Sequence, residues 1–134
     1  MQKEKLKICV YGSLRAGMGN ARILEGSTRL STETIQVPFT MIDMGSYPGL
    51  LEIDEQNAIV VEIYEVTPAT YRRIECLESY PSFYDRKDVH TSEGEIGIYY
   101  LPKSKGWDKE RYNEVASFDG AQDWVRHHTN SHRY

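Results

Sequence analysis

The distribution of apolar and polar residues predicts a chain built mainly of β-strands. Residues 6–11 form a short apolar run that stops at a Gly-Ser pair, which is typical of a buried strand entering a turn. Residues 29–37 alternate in polarity, and a second strand-like segment, residues 39–44, follows Pro38. The segment 45–49 then has the composition of a turn.

Two hairpins are predicted farther along the chain. Residues 50–53 and 58–66 are apolar arms separated by a polar turn, 54–57, and the long second arm is expected at the centre of the sheet. Residues 86–91 and 95–101 alternate in polarity on either side of a Ser-Glu-Gly turn, which predicts the second hairpin.

Helices are predicted in three places. Asn20 can cap a short helix that runs through Leu24, and residues 119–128 can form another around a tryptophan. The clearest helix covers residues 68–78, because Thr67 can accept hydrogen bonds from free amides and the proline after it needs no partner. Its core face is expected to carry the residues at helical spacing, Tyr71, Ile74 and Leu77.

One clear helix among six or seven strands indicates an α+β fold with a mostly antiparallel sheet, closed as a small barrel, rather than a doubly wound parallel sheet. The 134 residues have the usual size of one domain. We expect a single domain over residues 1–134, with its core in residues 6–101 and a less clearly patterned C-terminal segment, 102–134.

Composition and charge narrow the possible partners. Acidic and basic residues are interleaved and sum to a net charge of -4, so there is no basic stripe for nucleic acid and no polybasic patch for a membrane. No apolar run has the length of a membrane span, and the first residues lack the apolar stretch of a signal peptide. We therefore expect a cytoplasmic protein with small-molecule partners, and the oligomeric state stays open.

The cysteines and histidines suggest no redox or metal chemistry. Cys9 lies in an apolar strand and Cys76 in a helix, and we expect both to be reduced, with Cys9 filling the core rather than acting as a nucleophile. His127, His128 and His132 lie near the end of the chain, but no acidic residue or cysteine lies at a ligand-like spacing from them. No metal site is predicted.

The segment after the first strand, Tyr11-Gly12-Ser13-Leu14-Arg15, can form a cradle for an anion. Gly12 lets backbone amides approach a ligand closely, and successive amides in a turn concentrate positive partial charge that suits a carboxylate. The alternative is an ordinary turn whose glycine supplies a positive φ, and these five residues alone favour it.

Other candidates are scattered along the chain. Glu78 stands at the end of the predicted helix, where the helix dipole and partial burial raise a carboxyl pKa and suit a proton shuttle, although a solvated glutamate fits the same position. Glu62 either points into the barrel or faces solvent. Tyr84 and Arg86 either anchor their loop or line a pocket.

These segments, taken in order, resemble a known family. The cradle and the segment Glu78-Ser79-Tyr80 are two of the matching pieces. The others are Asn20, Met44-Gly45-Ser46-Tyr47-Pro48-Gly49-Leu50, Glu62-Ile63-Tyr64-Glu65-Val66 and Tyr84-Asp85-Arg86. The chain resembles the γ-glutamylcyclotransferase-like proteins, especially the γ-glutamylamine cyclotransferase and AIG2-like branch. The resemblance covers roughly residues 7–101.

The resemblance implies a small mixed β-barrel flanked by helices and a cofactor-free enzyme. It implies that Glu78 is the catalytic acid/base, that residues 11–14 hold the glutamyl end of a γ-glutamyl substrate, and that 5-oxoproline and a free amine are the products. Val61 and Ser79 stand where the family commonly has glycine, and the C-terminal signature around Asp123-Trp124 is spread apart, so the leaving group is left open. A binding module without catalysis is the second reading, and amide hydrolysis on the same fold is the third.

Overall fold

The computed structural model describes residues 6–77, 84–107 and 109–131, which form a mixed α+β fold made mostly of strands. The five longer strands are β1 (Leu6–Val10), β2 (Thr28–Asp43), β3 (Pro48–Val66), β4 (Asp85–Thr91) and β5 (Gly94–Tyr100). The two-residue strands are β6 (Asn113–Glu114), β7 (Ser117–Phe118) and β8 (Ala121–Gln122). The helices are α1 (Pro68–Leu77) and α2 (Trp124–Ser131), with single 3-10 turns at Ala21–Leu24, Lys103–Lys105 and Lys109–Arg111. The predicted fold class is confirmed.

Strand β3 is the centre of a curled sheet, as expected for the long apolar arm. It pairs antiparallel with β2 along most of its length and with β1 over its last five residues, so its C-terminal end lies between two strands. The sheet curls into a half-barrel. Strands β4 and β5 form a separate antiparallel hairpin, which a parallel bridge between Leu101 and Leu51 joins to β3.

The polar segment 54–57 is not a hairpin turn, and that prediction was wrong. Both predicted arms belong to β3 and pair with β2 rather than with each other. Pro38 of β2 has no N–H to offer to the ladder, and opposite it the pairing on β3 jumps from Glu52 to Asn57. The polar residues therefore lie on a bulge of a continuous strand, whose composition is the same as that of a turn.

Helix α1 begins as predicted, because the Thr67 hydroxyl oxygen accepts a hydrogen bond from the Thr70 amide at 3.3 Å. Its expected core face is only partly right. Ile74 is fully buried and Tyr71 is half-buried, but Leu77, at the last position, is 40% exposed. This exposure places Leu77 at the edge of the cavity described below. Helix α2 begins at Trp124, later than the predicted 119.

The core is divided into two clusters that meet at β1. Its alternating side chains point to opposite faces, so that Cys9 packs in one cluster with Trp124 while Ile8 and Val10 pack in the other with Ile74. The end of β1 is therefore where two packed layers separate. Within the described residues, no helix combines the length and the apolar character needed to cross a bilayer.

Candidate functional site

A cavity of about 710 Å³ opens at the end of β1. Its volume lies in the range of sites that bind small molecules, roughly 300 to 1,000 Å³. The lining residues from β1 and the loop after it are Cys9, Val10, Tyr11, Gly12, Ser13, Leu14, Met18, Gly19 and Asn20. The remaining lining residues, from later segments, are Ser46, Tyr47, Pro48, Leu77, Tyr84, Tyr99, Trp124 and His128.

The cavity brings together most of the residues that the sequence singled out. The predicted substrate-binding residues, Tyr11, Gly12, Ser13, Leu14 and Tyr84, all line it. The predicted catalytic residue, Glu78, lies outside the described residues, as do its neighbours through residue 83. The described residues on either side of that segment, Leu77 and Tyr84, both contribute to the cavity.

The cradle segment is a tight turn with its amides available. The Arg15 amide donates to the Gly12 carbonyl oxygen at 2.9 Å, which closes a four-residue turn. Within the part of the chain that the structure describes, the amides of Gly12, Ser13 and Leu14 donate to no protein acceptor. Three successive amides at a cavity wall can therefore donate to the oxygen atoms of a ligand.

Gly12 is required here for close approach rather than for a positive φ. It is absent from the residues with positive φ, so the ordinary-turn reading of this glycine was wrong. A Cβ atom at position 12 would lie 2.6 Å from both Cγ and Cδ of Pro48, which no side chain can occupy. Glycine thus lets the cradle pack directly against the turn between β2 and β3.

Asn20 holds the cradle closed instead of capping a helix. The structure shows no side-chain capping bond from Asn20, contrary to the prediction. Its backbone amide donates to the Ser13 carbonyl oxygen at 2.9 Å, and its side-chain Nδ2 donates to the Ser13 hydroxyl oxygen at 3.0 Å. Because the Ser13 oxygen accepts this bond, the hydroxyl hydrogen is left to donate to another partner.

Two buried tyrosines fix the walls of the cavity. The Tyr11 hydroxyl donates to the carbonyl oxygen of Tyr99 at 2.9 Å, and the Tyr84 hydroxyl donates to the carbonyl oxygen of Pro48 at 3.1 Å. Tyr84 therefore both anchors its segment and lines the cavity, which joins the two roles considered for it. Tyr11 thus joins the cradle to β5, while Tyr84, just before β4, and Gly12 both lie against Pro48 at the start of β3.

A buried charge cluster, made of Arg15, Glu62 and Asp123, lies directly behind the cradle. Arg15 Nε donates to Glu62 Oε2 at 2.8 Å, and Arg15 Nη1 donates to Asp123 Oδ1 at 2.8 Å. All three residues are less than 8% exposed, at 6%, 3% and 7% respectively. The cluster joins the loop after β1, the C-terminal part of β3 and the start of α2.

Glu62 is held as an anion by its surroundings. Burial alone would raise its pKa, but hydrogen bonds from the Ala16 amide at 3.0 Å, from Arg15 and from the Tyr64 hydroxyl, together with the Arg15 charge, lower the pKa below its usual value. Burial and the Glu62 carboxylate in turn raise the pKa of Tyr64 to about 12. Glu62 thus points inward, which settles the choice that the sequence left open.

Asp123 connects this cluster to the far wall of the cavity. Its Oδ1 also accepts a hydrogen bond at 3.2 Å from the Arg126 amide in the first turn of α2, as a helix-capping carboxylate does. Trp124 and His128 follow on the same helix and line the cavity with rings 5.3 Å apart. The cluster therefore fixes both the cradle and the wall that α2 supplies.

The structure confirms the role predicted for Cys9 and shows that His127 bonds to protein groups. Cys9 is buried, which raises the pKa of its thiol and keeps it protonated, so its predicted core-filling role is confirmed. His127 binds Asp43 at 2.8 Å and accepts from the Ala116 amide at 3.1 Å. No group of three potential ligands for a metal ion lies together among the described residues, and His132 lies outside them.

Sequence reasoning did not predict the contacts that only the folded chain makes. It left the orientation of Glu62 open, because the apolar run 59–66 contains both Glu62 and Glu65, and it did not pair Glu62 with Arg15. Met18, Trp124 and His128 gave no signal of a shared cavity. Their segments meet at the cavity through tertiary packing alone.

Comparisons with known proteins bear out the resemblance. A family model described as gamma-glutamyl cyclotransferase, AIG2-like, matches residues 8–126. A relative in Methanocaldococcus jannaschii that bears the γ-glutamylcyclotransferase name is 34% identical over 105 residues, which cover 74% of this chain and 87% of that protein. The γ-L-glutamyl-butirosin B γ-glutamyl cyclotransferase of Niallia circulans is 30% identical over 125 residues, covering 88% of this chain and 77% of that protein.

A solved structure shows the same fold. A protein of Pyrococcus horikoshii aligns with a TM-score of 0.73 at 24% identity and covers 96% of this chain and 99% of its own. The family match spans the cradle, the buried charge cluster and the first residues of α2. The chain therefore belongs to the γ-glutamyl cyclotransferase, AIG2-like family.

Proposed function

We propose that the protein is a γ-glutamylcyclotransferase, which converts a γ-glutamyl amine or γ-glutamyl amino acid to 5-oxoproline and a free amine. The observation that carries this proposal is the cavity, which joins a turn of free amides to both described neighbours of the Glu78 segment. Family membership supports the same reaction class. The reaction needs no cofactor.

In this reaction the substrate's α-amine attacks its own γ-carbonyl carbon. A C–N bond forms to close the five-membered lactam, the amide C–N bond breaks, and a proton passes from the α-amine to the departing amine. Water is not consumed. Because both reacting groups belong to one molecule, folding the substrate into a cyclic geometry contributes most, and such intramolecular reactions reach effective molarities of roughly 10⁵ to 10⁸ M.

The cradle is suited to bind the glutamyl end. The amides of Gly12, Ser13 and Leu14 can donate to the substrate's α-carboxylate or to the oxyanion that develops on its γ-carbonyl, and the Ser13 hydroxyl can add a further donor. Fixed amides stabilise such a charge without reorganising during the reaction. The turn that Asn20 and Arg15 close keeps these donors in place.

Glu78 is proposed as the group that moves the proton. It follows Leu77, the last residue of α1, and consecutive Cα atoms are about 3.8 Å apart, which supports a position near the cavity that Leu77 lines. The negative end of a helix dipole raises a carboxyl pKa and suits an acid/base that must both accept and return a proton. A positioned acid/base typically contributes about 10² to 10⁴-fold in rate.

The test compares 5-oxoproline release by the wild type, Glu78→Gln and a control substitution, Glu55→Gln. Glu55 is exposed on the β3 bulge, away from the cavity, so its substitution makes the same chemical change elsewhere. With a panel of γ-glutamyl amines and dipeptides, we expect release by the wild type and by Glu55→Gln, and a loss of about 10²-fold or more in Glu78→Gln.

Folding of each variant is checked by its thermal unfolding temperature. Release that continues at the wild-type rate in Glu78→Gln would remove that residue from the mechanism. If the folded wild type releases no 5-oxoproline from any conjugate but conjugates still raise its unfolding temperature, the protein is a binding module rather than an enzyme.

A further inference from the structure

The cavity is lined by uncharged side chains. Among its described lining residues there is no lysine, arginine, aspartate or glutamate. The sequence of the segment 78–83 holds one charged residue, Glu78, which the proposed function already uses. Arg15 carries charge near the cradle, but its Nε and Nη1 are bonded to Glu62 and Asp123.

Beyond the cradle, one wall of the cavity is formed by Met18 and His128 together with Trp124, whose side chain is only 1% exposed. Trp124 and His128 lie one helical turn apart on α2, and their rings are 5.3 Å apart at 31°. Met18 lines the same cavity and packs against the buried cluster that contains Trp124. A thioether and aromatic rings make favourable contacts with apolar and aromatic groups.

We propose that this wall, made of Met18, Trp124 and His128, determines the leaving group, and that the preferred substrates are γ-glutamyl amines whose amine part is apolar or aromatic and uncharged. The inference rests on the proposed function, since it assigns the glutamyl end to the cradle. A cavity of about 710 Å³ leaves space beside a glutamyl group for a substituent of this kind.

Charged amine parts lack a partner at this wall. Among the described lining residues, an ammonium group would lose water without meeting a carboxylate, and a second carboxylate, as in a γ-glutamyl amino acid, would meet no lysine or arginine. The aromatic ring that best attracts cations, Trp124, has the imidazoles of His127 and His128 at 5.7 and 5.3 Å. Trp124 is only 1% exposed, so its ring offers a cation little contact area.

Two pairs of conjugates of matched size test the effect of a charge on the amine part. γ-Glutamyl-hexylamide and γ-glutamyl-(5-aminopentyl)amide have the same chain length and differ by an ammonium group, while γ-glutamyl-phenethylamide and γ-glutamyl-phenylalanine differ by a carboxylate. We expect kcat/KM for 5-oxoproline release to be at least about tenfold higher for the uncharged member of each pair. Equal values, or a preference for a charged member, would overturn the inference while leaving cyclotransfer intact.

Binding measurements without turnover test this inference independently of the proposed reaction. Titration calorimetry of the same four conjugates with Glu78→Gln should show the same ranking of Kd values, because the wall does not depend on turnover. Tighter binding of the uncharged members without any 5-oxoproline from the wild type would support the wall and remove the proposed reaction. Absence of binding by all four conjugates would overturn the inference.

A charge placed on the wall should reverse the preference. Met18 is half-buried on a loop and packs against the buried cluster, so the folding of each Met18 variant is checked by thermal unfolding. Met18→Glu introduces a carboxylate, and Met18→Gln is a control of the same length without charge. In Met18→Glu we expect the ratio of hexylamide to aminopentylamide kcat/KM to fall by about tenfold or more, whereas Met18→Gln keeps the wild-type ratio. An unchanged ratio in Met18→Glu would show that Met18 does not face the amine part.

Discussion

The two sides of the cradle differ sharply in how they use charge. Behind it, Arg15, Glu62 and Asp123 form a buried cluster in which the charged side chains bond to one another and to nearby amides. In front of it, the described lining of a cavity of about 710 Å³ carries no lysine, arginine, aspartate or glutamate. The same short loop separates the two regions.

This difference indicates that the charges around the cradle position its segments, because none of the three is among the described residues that line the cavity. A buried ion pair contributes little net stability compared with apolar packing, but it requires a unique arrangement of its members. Here that arrangement joins the loop after β1, the C-terminal part of β3 and the start of α2. Recognition of a ligand then depends on fixed amides, a hydroxyl and apolar surfaces, which these three segments hold in place.

The largest expected effect comes from breaking the cluster. Arg15→Met leaves two buried carboxylates without their cation, and we expect the free energy of unfolding to fall by about 3 to 5 kcal/mol, as measured by urea titration. Arg29→Met is the matched control, because Arg29 also approaches Glu62, at 3.8 Å, but its side chain is half exposed. It should cost no more than about 1 kcal/mol.

Equal losses in the two arginine variants would contradict the structural role given to the cluster. If Arg15→Met lowers the free energy of unfolding only slightly but raises KM strongly, Arg15 binds the ligand instead. That result would remove the contrast between the two sides of the cradle.

The next largest effect concerns the contact between the cradle and the β2–β3 turn. Gly12→Ala places a Cβ atom 2.6 Å from Pro48, and we expect a loss of about 1 to 3 kcal/mol in stability together with weaker ligand binding. Gly19→Ala is the control, because Gly19 also lines the cavity, has no positive φ and has open space around its Cβ position. Thermal unfolding and titration calorimetry of both variants test this, and equal effects would contradict it.

A smaller effect is expected from Tyr84→Phe. The variant removes the hydroxyl that donates to the Pro48 carbonyl oxygen at 3.1 Å but keeps the ring that lines the cavity. The free energy of unfolding should fall by about 1 kcal/mol, with ligand affinity nearly unchanged. A large loss of affinity without loss of stability would indicate that the hydroxyl binds the ligand rather than the turn.

The smallest expected effect is a change in the stability of the folded protein with pH. The pKa of Glu62 is lower in the folded protein than its ordinary value of 4.5, so its stabilisation is present above that value and is lost as the pH falls through the folded-state pKa. The unfolding temperature of the wild type should therefore fall more steeply below about pH 4.5 than that of Glu62→Gln. Identical slopes for the two proteins would show that Glu62 is not held as an anion.

Local signals predicted the parts of the fold that depend on neighbouring residues. The end of β1, the Thr67 cap and the β4–β5 hairpin all follow from short patterns. The β3 bulge did not, because polar residues 54–57 have the composition of a turn whether the chain reverses or continues. The pairing of both arms with β2 joins residues far apart in the sequence, so a local pattern does not reveal it.

The candidate site was predictable where its residues adjoin in sequence. The cradle and Tyr84 line the cavity as expected, but the expected reason for Gly12 was wrong, since the constraint comes from Pro48, far away along the chain. Leu77 has helical spacing that indicates a core residue, yet it faces the cavity. Spacing on a helix defines a face but does not distinguish a packed neighbour from an open site.

The most direct test of the proposed chemistry is the reaction in water enriched in ¹⁸O, with both possible products measured by mass spectrometry. Cyclotransfer uses the substrate's own amine, so the account predicts unlabelled 5-oxoproline in equal amount to the released amine, with both reduced about 10²-fold or more in Glu78→Gln. Glutamate carrying one ¹⁸O atom would instead show attack by water, and would contradict the account.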